Sequence, residues 1–437
     1  MDNNQSHALT LRLSSSLEKL GARPKAILDV MVSDALALVQ SQERVLAAAR
    51  FCIGDYEFCY PDYRQILIWA KALRLEPDEV VKRLLRTEID VGRCGRVMQK
   101  LEIVNGHIVK LVWNFEILPI PVFEWINGLS IKSIAFKGHA TANIALQMPV
   151  LQELYCFCLK IRHLDLSNVP NLTLLNCGRN YISELDLSNV PNLITLACSE
   201  NLLTKIDLFN VPNLAVLWCE KNKLTKLDLS NVPNLTKLEC FLNSICKLDL
   251  SNVPNLTELD CWGNLINKLD LSNVPNLVHI VCSKNKLSEL DLSIVPNLAF
   301  LQCSYNEIAD LDLSNVPNLR FLECGNNYLT ELDLFNAPNL TDLCCEENQI
   351  TELDLSNVPN LKRLLCEENQ LSELDLFNVP NLTALSCDGN QLSELNLSNV
   401  PNLTELSCYS NRLTELNIHS LDKLALFNCD SYVITEL

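Results

Sequence analysis

Residues Leu214–Asn234 read LAVLWCEKNKLTKLDLSNVPN, and this string decides the fold because the chain repeats it, with few changes, coil after coil. Cys156 recurs every 21 residues as far as Cys429, fourteen positions in all. An asparagine follows three residues after each cysteine from Cys177 to Cys408, and proline keeps the same beat from Pro149 to Pro401. The common unit is L-x-x-L-x-C-x-x-N-x-L-x-x-L-D-L-S-N-V-P-N. One such unit is too short to bury its own leucines, so its apolar side chains must be covered by the units before and after it, which makes a stacked solenoid.

Within a unit the L-x-C segment alternates inward and outward with period two, as a strand does, and neighbouring coils then pair into a parallel sheet on the concave side. The L-D-L segment reads as a short extended stretch on the convex side, and N-V-P-N as a turn whose proline fixes the backbone. Asn180, Asn201, Asn222, Asn243 and their successors offer both a donor and an acceptor, and are expected to satisfy backbone groups of their own turn and of the next coil. Cys177, Cys198, Cys219, Cys240 and the rest of their column would project in parallel from coils about 5 Å apart. That geometry does not suit disulfides, so they read as small buried hydrophobes. The aspartates from Asp165 to Asp375 form another column, and Asn396 and Asn417 stand in it too. The position therefore calls for a hydrogen-bond acceptor that caps its turn; a calcium-binding column is the alternative.

The unit resembles the leucine-rich-repeat consensus with cysteine in place of its third aliphatic residue, over roughly residues 150 to 430. It is most similar to the 21-residue cysteine-bearing repeats of bacterial surface proteins of the internalin class, those of internalin J in particular. The resemblance implies a binding solenoid and says little about the partner.

The net charge is −18, and the first hundred residues are nearly balanced, so the acidic excess belongs to the repeats. A surface of that sign repels phosphate backbones, which argues against nucleic acid and favours a protein partner with a basic surface. No apolar run reaches the ~18 residues of a membrane span, so no membrane insertion is expected. The opening residues lack the pattern of a secretory signal, and the compartment read from this is the cytoplasm, with export lacking a cleaved signal peptide as the alternative. The six histidines are scattered, no phosphate loop or nucleophile elbow occurs, and the chain is read as a non-enzyme with no cofactor, no metal site and no catalytic residue.

The positions flanking the strand leucine and cysteine vary from coil to coil while the rest barely changes. They should face the concave side and form the partner-binding surface. Its aromatic members are Tyr155, Phe157, Trp218, Phe241, Trp262, Phe300, Tyr305, Phe321 and Tyr409, and aromatics dominate binding hot spots. Its acidic members are Glu220, Glu323, Asp342, Glu346, Glu367 and Asp388, with Glu347 and Glu368 beside them. Like charges on adjacent strands oppose each other, a cost that a cationic partner would relieve.

Overall the sequence predicts an α+β chain. Residues 1–95 read as a helical domain of four or five helices, including one from Ala26 to Phe51 and a pair flanking Glu76 and Pro77. Residues 96–150 read as a strand-rich cap with an Asn105-Gly106 hairpin, and 151–437 as a solenoid of about 13 to 14 coils. Little sequence follows Cys429, so an open last strand and an end-to-end homodimer through it are expected. The function read from all this is a non-catalytic protein-binding scaffold. The alternatives are a bacterial effector that binds host proteins and, last, a cell-surface adhesin.

Overall fold

A computed structural model describes residues 41–42, 45–46, 49–90, 97–99, 101–119, 130–138 and 144–430. The strands are β1 (Arg50–Ile53), β2 (Tyr56–Cys59), β3 (Glu88–Asp90), β4 (Val97–Gln99), β5 (Glu102–Val104), β6 (His107–Asn114), β7 (Ser133–Lys137), β8 (Ile144–Ala145), β9 (Glu153–Tyr155) and β10 (Leu164–Asp165). One three-residue strand per coil then runs from β11 (Leu174–Asn176) to β23 (Leu426–Asn428). Among the described residues the complete helices are α1 (Tyr60–Leu73) and α2 (Pro77–Leu85), and Ser41, Gln42, Val45 and Leu46, inside the expected Ala26–Phe51 helix, are helical too.

Each coil strand pairs in parallel with the next at a shift of one repeat, so Leu217 lies opposite Leu238 and Leu238 opposite Leu259. The strict period therefore places chemically identical positions side by side along the whole sheet. Every ladder cysteine from Cys156 to Cys408 is buried, between the strand leucines and the leucines of the turns, in one continuous core. The convex side carries little regular structure apart from single bridges such as Leu227 with Leu248.

The asparagine column fastens coil to coil. Asn264 Oδ1 accepts from the Ile245 amide at 3.0 Å, and Nδ2 donates to the carbonyls of Cys240 and Cys261, each at 3.0 Å. The neighbour it ties is the preceding coil, where the sequence reading named the next one. A second column does the same on the convex side. The last residue of N-V-P-N donates to the proline carbonyl of the preceding coil, as Asn276 Nδ2 does to Pro254 O at 3.0 Å. Each aspartate of L-D-L accepts from the backbone amide two residues on, as Asp312 Oδ1 does from Ser314 at 2.8 Å, and Asn396 replaces it with the same bond at 3.0 Å.

The start of the chain departs from the expected helical domain. Residues 1–40, which carry most of the predicted helices, lie outside the described residues. Phe51, expected to close a helix, stands in the antiparallel hairpin β1–β2. Its ring stacks on Tyr63 at 4.8 Å, so strand and helix share one apolar face, and the apolar spacing around it did not distinguish the two. The pair α1–α2 does flank Glu76 and Pro77, and it packs on the sheet. Trp69 of α1 meets Trp113 of β6 edge to face at 5.1 Å, and both belong to the solenoid core. The parallel sheet begins at β6, which pairs with β7, which pairs with β9, so it runs through residue 150 without a break. At the far end β23 pairs with β22 (Glu405–Ser407). The expected end-to-end homodimer turns on residues after Asp430, which lie outside the described ones.

The Asn105-Gly106 hairpin forms as read, with both residues at positive φ. A Cβ on Gly106 would lie 3.0 Å from Cys59 N and 3.1 Å from its Sγ, so only glycine fits this turn against the start of α1. Gly106→Ala should therefore lower stability by about 1–3 kcal/mol. Asn264→Ala, which leaves an amide and two carbonyls without their side-chain partner, should cost at least about 2 kcal/mol. Urea unfolding followed by circular dichroism checks both; an unchanged midpoint for Asn264→Ala would remove the inter-coil role.

Candidate functional site

Three outward columns line the concave face, one at each end of the strand triplet and one just after the cysteine. In the first column the in-register pairing sets His279 opposite Phe300 and Phe300 opposite Phe321. Parallel strands lie about 4.8 Å apart, close to the distance at which rings stack. The His279 and Phe300 rings accordingly stand 4.2 Å apart and 5° from parallel, and Phe300 and Phe321 stand 4.4 Å apart and 8° from parallel. Their faces are used by each other, so they present ring edges to the concave space. Burial holds the His279 pKa below its ordinary value.

The other columns add aromatics beside this stack. Phe241 and Trp262 meet edge to face at 6.3 Å, and the Lys284 ammonium sits between the Trp262 and Tyr305 rings, 5.3 and 5.2 Å from their centroids. Trp218 Nε1 donates to Glu239 Oε1 at 3.1 Å. Trp218, Phe241, Trp262, Phe300 and Phe321 are partly buried by such neighbours, whereas Tyr305 and Tyr409 are exposed. Phe157 lies apart from this group, under the Arg179 guanidinium at 5.3 Å.

Two residues assigned to the surface are not on it. Tyr155 is buried in a small cluster with Val112 and Ala135, because the cap strands continue the sheet beside it. Glu220 is also buried and accepts from Ser199 Oγ at 2.6 Å, one coil earlier in the same column. Neither burial is visible in a residue's own unit, since each depends on which side chain stands in the adjoining coil.

The acidic residues gather farther along. Glu346 and Glu367 stand in successive coils of the post-cysteine column, and Glu323 and Asp342 lie on the strands beside them. Desolvation raises the Glu346 pKa above its ordinary value, with Glu367, Glu323 and Glu347 adding repulsion. Glu323 is partly relieved by Gln302, whose Nε2 donates to it at 2.5 Å, and Asp388 accepts from Ser407 Oγ and from the Tyr409 amide.

The thiol column is chemically quiet: burial pushes the Cys177 and Cys303 thiols up to about 12, so they stay protonated. Among the described residues no group of three or more His, Cys, Asp or Glu could hold a metal ion. One constellation escaped the sequence reading because its members meet only in the fold. His107 Nδ1 lies 2.9 Å from Asp62 Oδ2, and its Nε2 lies 3.2 Å from Cys59 Sγ. Asp62 Oδ1 also accepts from the Ile108 amide and Ser130 Oγ. The order Cys–His–Asp is that of an activated nucleophile, but Cys59 is only 1% exposed, beneath the Gly106 turn. Its arrangement clamps the β5–β6 turn to the start of α1.

The profile for Leucine Rich repeats (2 copies) matches residues 296–337. Among solved structures, the functional domain of InlJ from Listeria monocytogenes, which includes a cysteine ladder, is 37% identical with a TM-score of 0.59, over 64% of this chain and 67% of that one. This chain belongs to the leucine-rich-repeat family. The leucine-rich-repeat protein LIC12759 of Leptospira interrogans shares the fold at 24% identity and a TM-score of 0.58, over 66% and 80% of the two chains. The leucine-rich effector YopM of Yersinia pestis does so at 23% and 0.58, over 85% and 99%. No curated protein matches. Leucine-rich-repeat solenoids generally act as scaffolds that bind other proteins.

The raised Glu346 pKa carries a sign. A carboxyl whose folded pKa lies above its unfolded one favours the native state while protonated, and that contribution is lost as pH rises through the folded value. At neutral pH its charge is therefore a burden, and Glu346→Gln should raise stability there by about 0.2–1 kcal/mol. The gain should vanish below the ordinary carboxylate range. Thermal melts of both proteins at pH 7.5 and pH 4 check this; a Gln variant less stable at pH 7.5 would reverse the reading.

Proposed function

We propose that this leucine-rich-repeat protein is a non-catalytic scaffold, acting in the cytoplasm, that holds a protein partner on its concave face. One observation carries the reading: within the coils from Cys219 to Cys324, Trp218, Phe241, Trp262, Phe300 and Phe321 stand on the outward columns with the exposed Tyr305 beside them, in a repeat whose other positions hardly vary. Large rings are dear to keep in contact with water, and they bury much area with few rotamers to lose when a partner covers them. The sheet beneath holds them rigidly, which lowers the ordering cost of association. The acidic columns beside them favour a partner with a basic surface.

The test compares the intact protein with the combined variant Trp218→Ala, Trp262→Ala and Phe300→Ala as bait in a lysate of the cells that make it. Hot-spot truncations cost about 2 kcal/mol or more each, so captured partners should fall at least about tenfold while the circular dichroism spectrum stays unchanged. Equal capture by the two baits would remove the concave aromatics from the function.

A further inference from the structure

Among the described residues, four buried side-chain polar atoms have no hydrogen-bond partner: Ser283 Oγ, Ser304 Oγ, Glu346 Oε2 and Glu367 Oε2. All four stand in one column, the residue that follows the ladder cysteine, and they occupy the successive coils of Cys282, Cys303, Cys345 and Cys366 with a single gap. The gap is Gly325, where a Cβ would lie 2.5 Å from Glu346 Oε1. The Glu346 carboxylate thus leans back over the glycine toward Ser304. Ser283 and Ser304 are 4% and 1% exposed, so these hydroxyls are buried polar groups in the wall of the acidic stretch.

Polar atoms withdrawn from water without a partner destabilise the fold, the more so when charged. Four in one line are a shared feature, and their chemistry specifies what would satisfy them. Two are carboxylate oxygens, which only accept, and two are hydroxyls, which can accept. The complement is a group rich in donors and positively charged. A single metal ion cannot serve the line, because coils about 5 Å apart spread it over much more than the 2.0–2.6 Å of a metal–oxygen bond. A guanidinium offers five N–H donors in a flat fork that matches carboxylates two bonds at a time, and it is shed from water more readily than an ammonium.

We infer that the post-cysteine column from Ser283 to Glu367 is a receptor for arginine side chains of an extended basic segment of a partner protein, lying along the solenoid axis across these coils. This rests on the concave face being the binding surface, and it names the chemistry of what binds. Charge complementarity selects the occupant: Glu323, Glu347 and Glu368 surround the column, and Glu346 feels the repulsion of Glu323, Glu347 and Glu367. The guanidinium replaces that repulsion with paired charges, and the stacked rings of Phe300 and Phe321 stand at the far ends of the same strands, beyond Gln302 and Glu323.

The experiment measures fluorescence anisotropy of the full chain with fluorescein-labelled hexa-arginine and hexa-lysine peptides at fixed salt. Four variants are compared with the intact protein: Glu346→Gln with Glu367→Gln, Ser283→Ala with Ser304→Ala, Gly325→Ala, and the convex pair Glu373→Gln with Glu394→Gln. The convex pair removes the same charge from a distant face. Gly325→Ala removes none, but pushes the Glu346 carboxylate from its place. The expected result is hexa-arginine binding that weakens at least tenfold in the concave Gln pair, measurably in Gly325→Ala and in the Ser pair, and less than twofold in the convex pair. Hexa-lysine should bind more weakly than hexa-arginine to the intact protein. Equal losses in the concave and convex pairs would show binding to net charge alone and overturn the receptor. Equal affinity for the two peptides would overturn its preference for guanidinium. If the aromatic triple variant loses its captured partners while the concave Gln pair keeps its affinity for hexa-arginine, this inference fails and the scaffold reading stands. If capture is unaffected by the aromatic changes, the scaffold reading fails first.

Discussion

The structure depends on the asparagine that reaches from one turn into the coil before it. Its amide does for each coil boundary what no side chain in the core can do: it pairs backbone groups that would otherwise be buried unsatisfied. Because the same bond recurs every 21 residues, any coil longer or shorter by one residue would break two boundaries at once. That constraint keeps the period strict, and the strict period in turn sets like positions opposite like along the sheet. The convex ladder from asparagine to proline carbonyl enforces the same spacing from the other side.

Strict register has a chemical consequence on the outer face. Any run of similar residues in one column becomes a physical stack or a line of like charges. Where the run is aromatic, as at His279, Phe300 and Phe321, the strand spacing matches ring stacking and the face becomes stiff. Where the run is acidic, as at Glu346 and Glu367, the same spacing gives repulsion and stranded oxygens. One scaffold thus holds a self-satisfied aromatic patch next to a dissatisfied acidic one. On the proposed reading, a partner is drawn to the second and packs against the first.

The cap obeys different rules from the array it covers. Its strands enter the parallel sheet in register, yet the links that hold it are unique: the Asn105-Gly106 turn, the Asp62–His107–Cys59 contacts and the Trp69–Trp113 packing. Such links join residues dozens of positions apart, so periodicity could not announce them. The same holds for Phe51, whose apolar neighbours fit a helix as well as the hairpin edge that it occupies. Burial of Tyr155 and Glu220 was equally out of reach, since it depends on Ala135 and Ser199 in the adjoining strand and coil.

What the sequence by itself determined is everything that repeats: the coil, the parallel sheet, the buried cysteine and asparagine columns, and the face on which variable side chains stand. These follow from local patterning, because a 21-residue unit has one way to hide its leucines and the hiding is the same in every coil. Only the tertiary structure decided what occurs once, or between coils. It chose the direction of each asparagine bond, the joining of the cap to the core, and which outward residues are truly open. It also left Ser283, Ser304, Glu346 and Glu367 in one line without partners. Each of these is a relation between side chains on different coils, set by packing at distances that no single unit encodes.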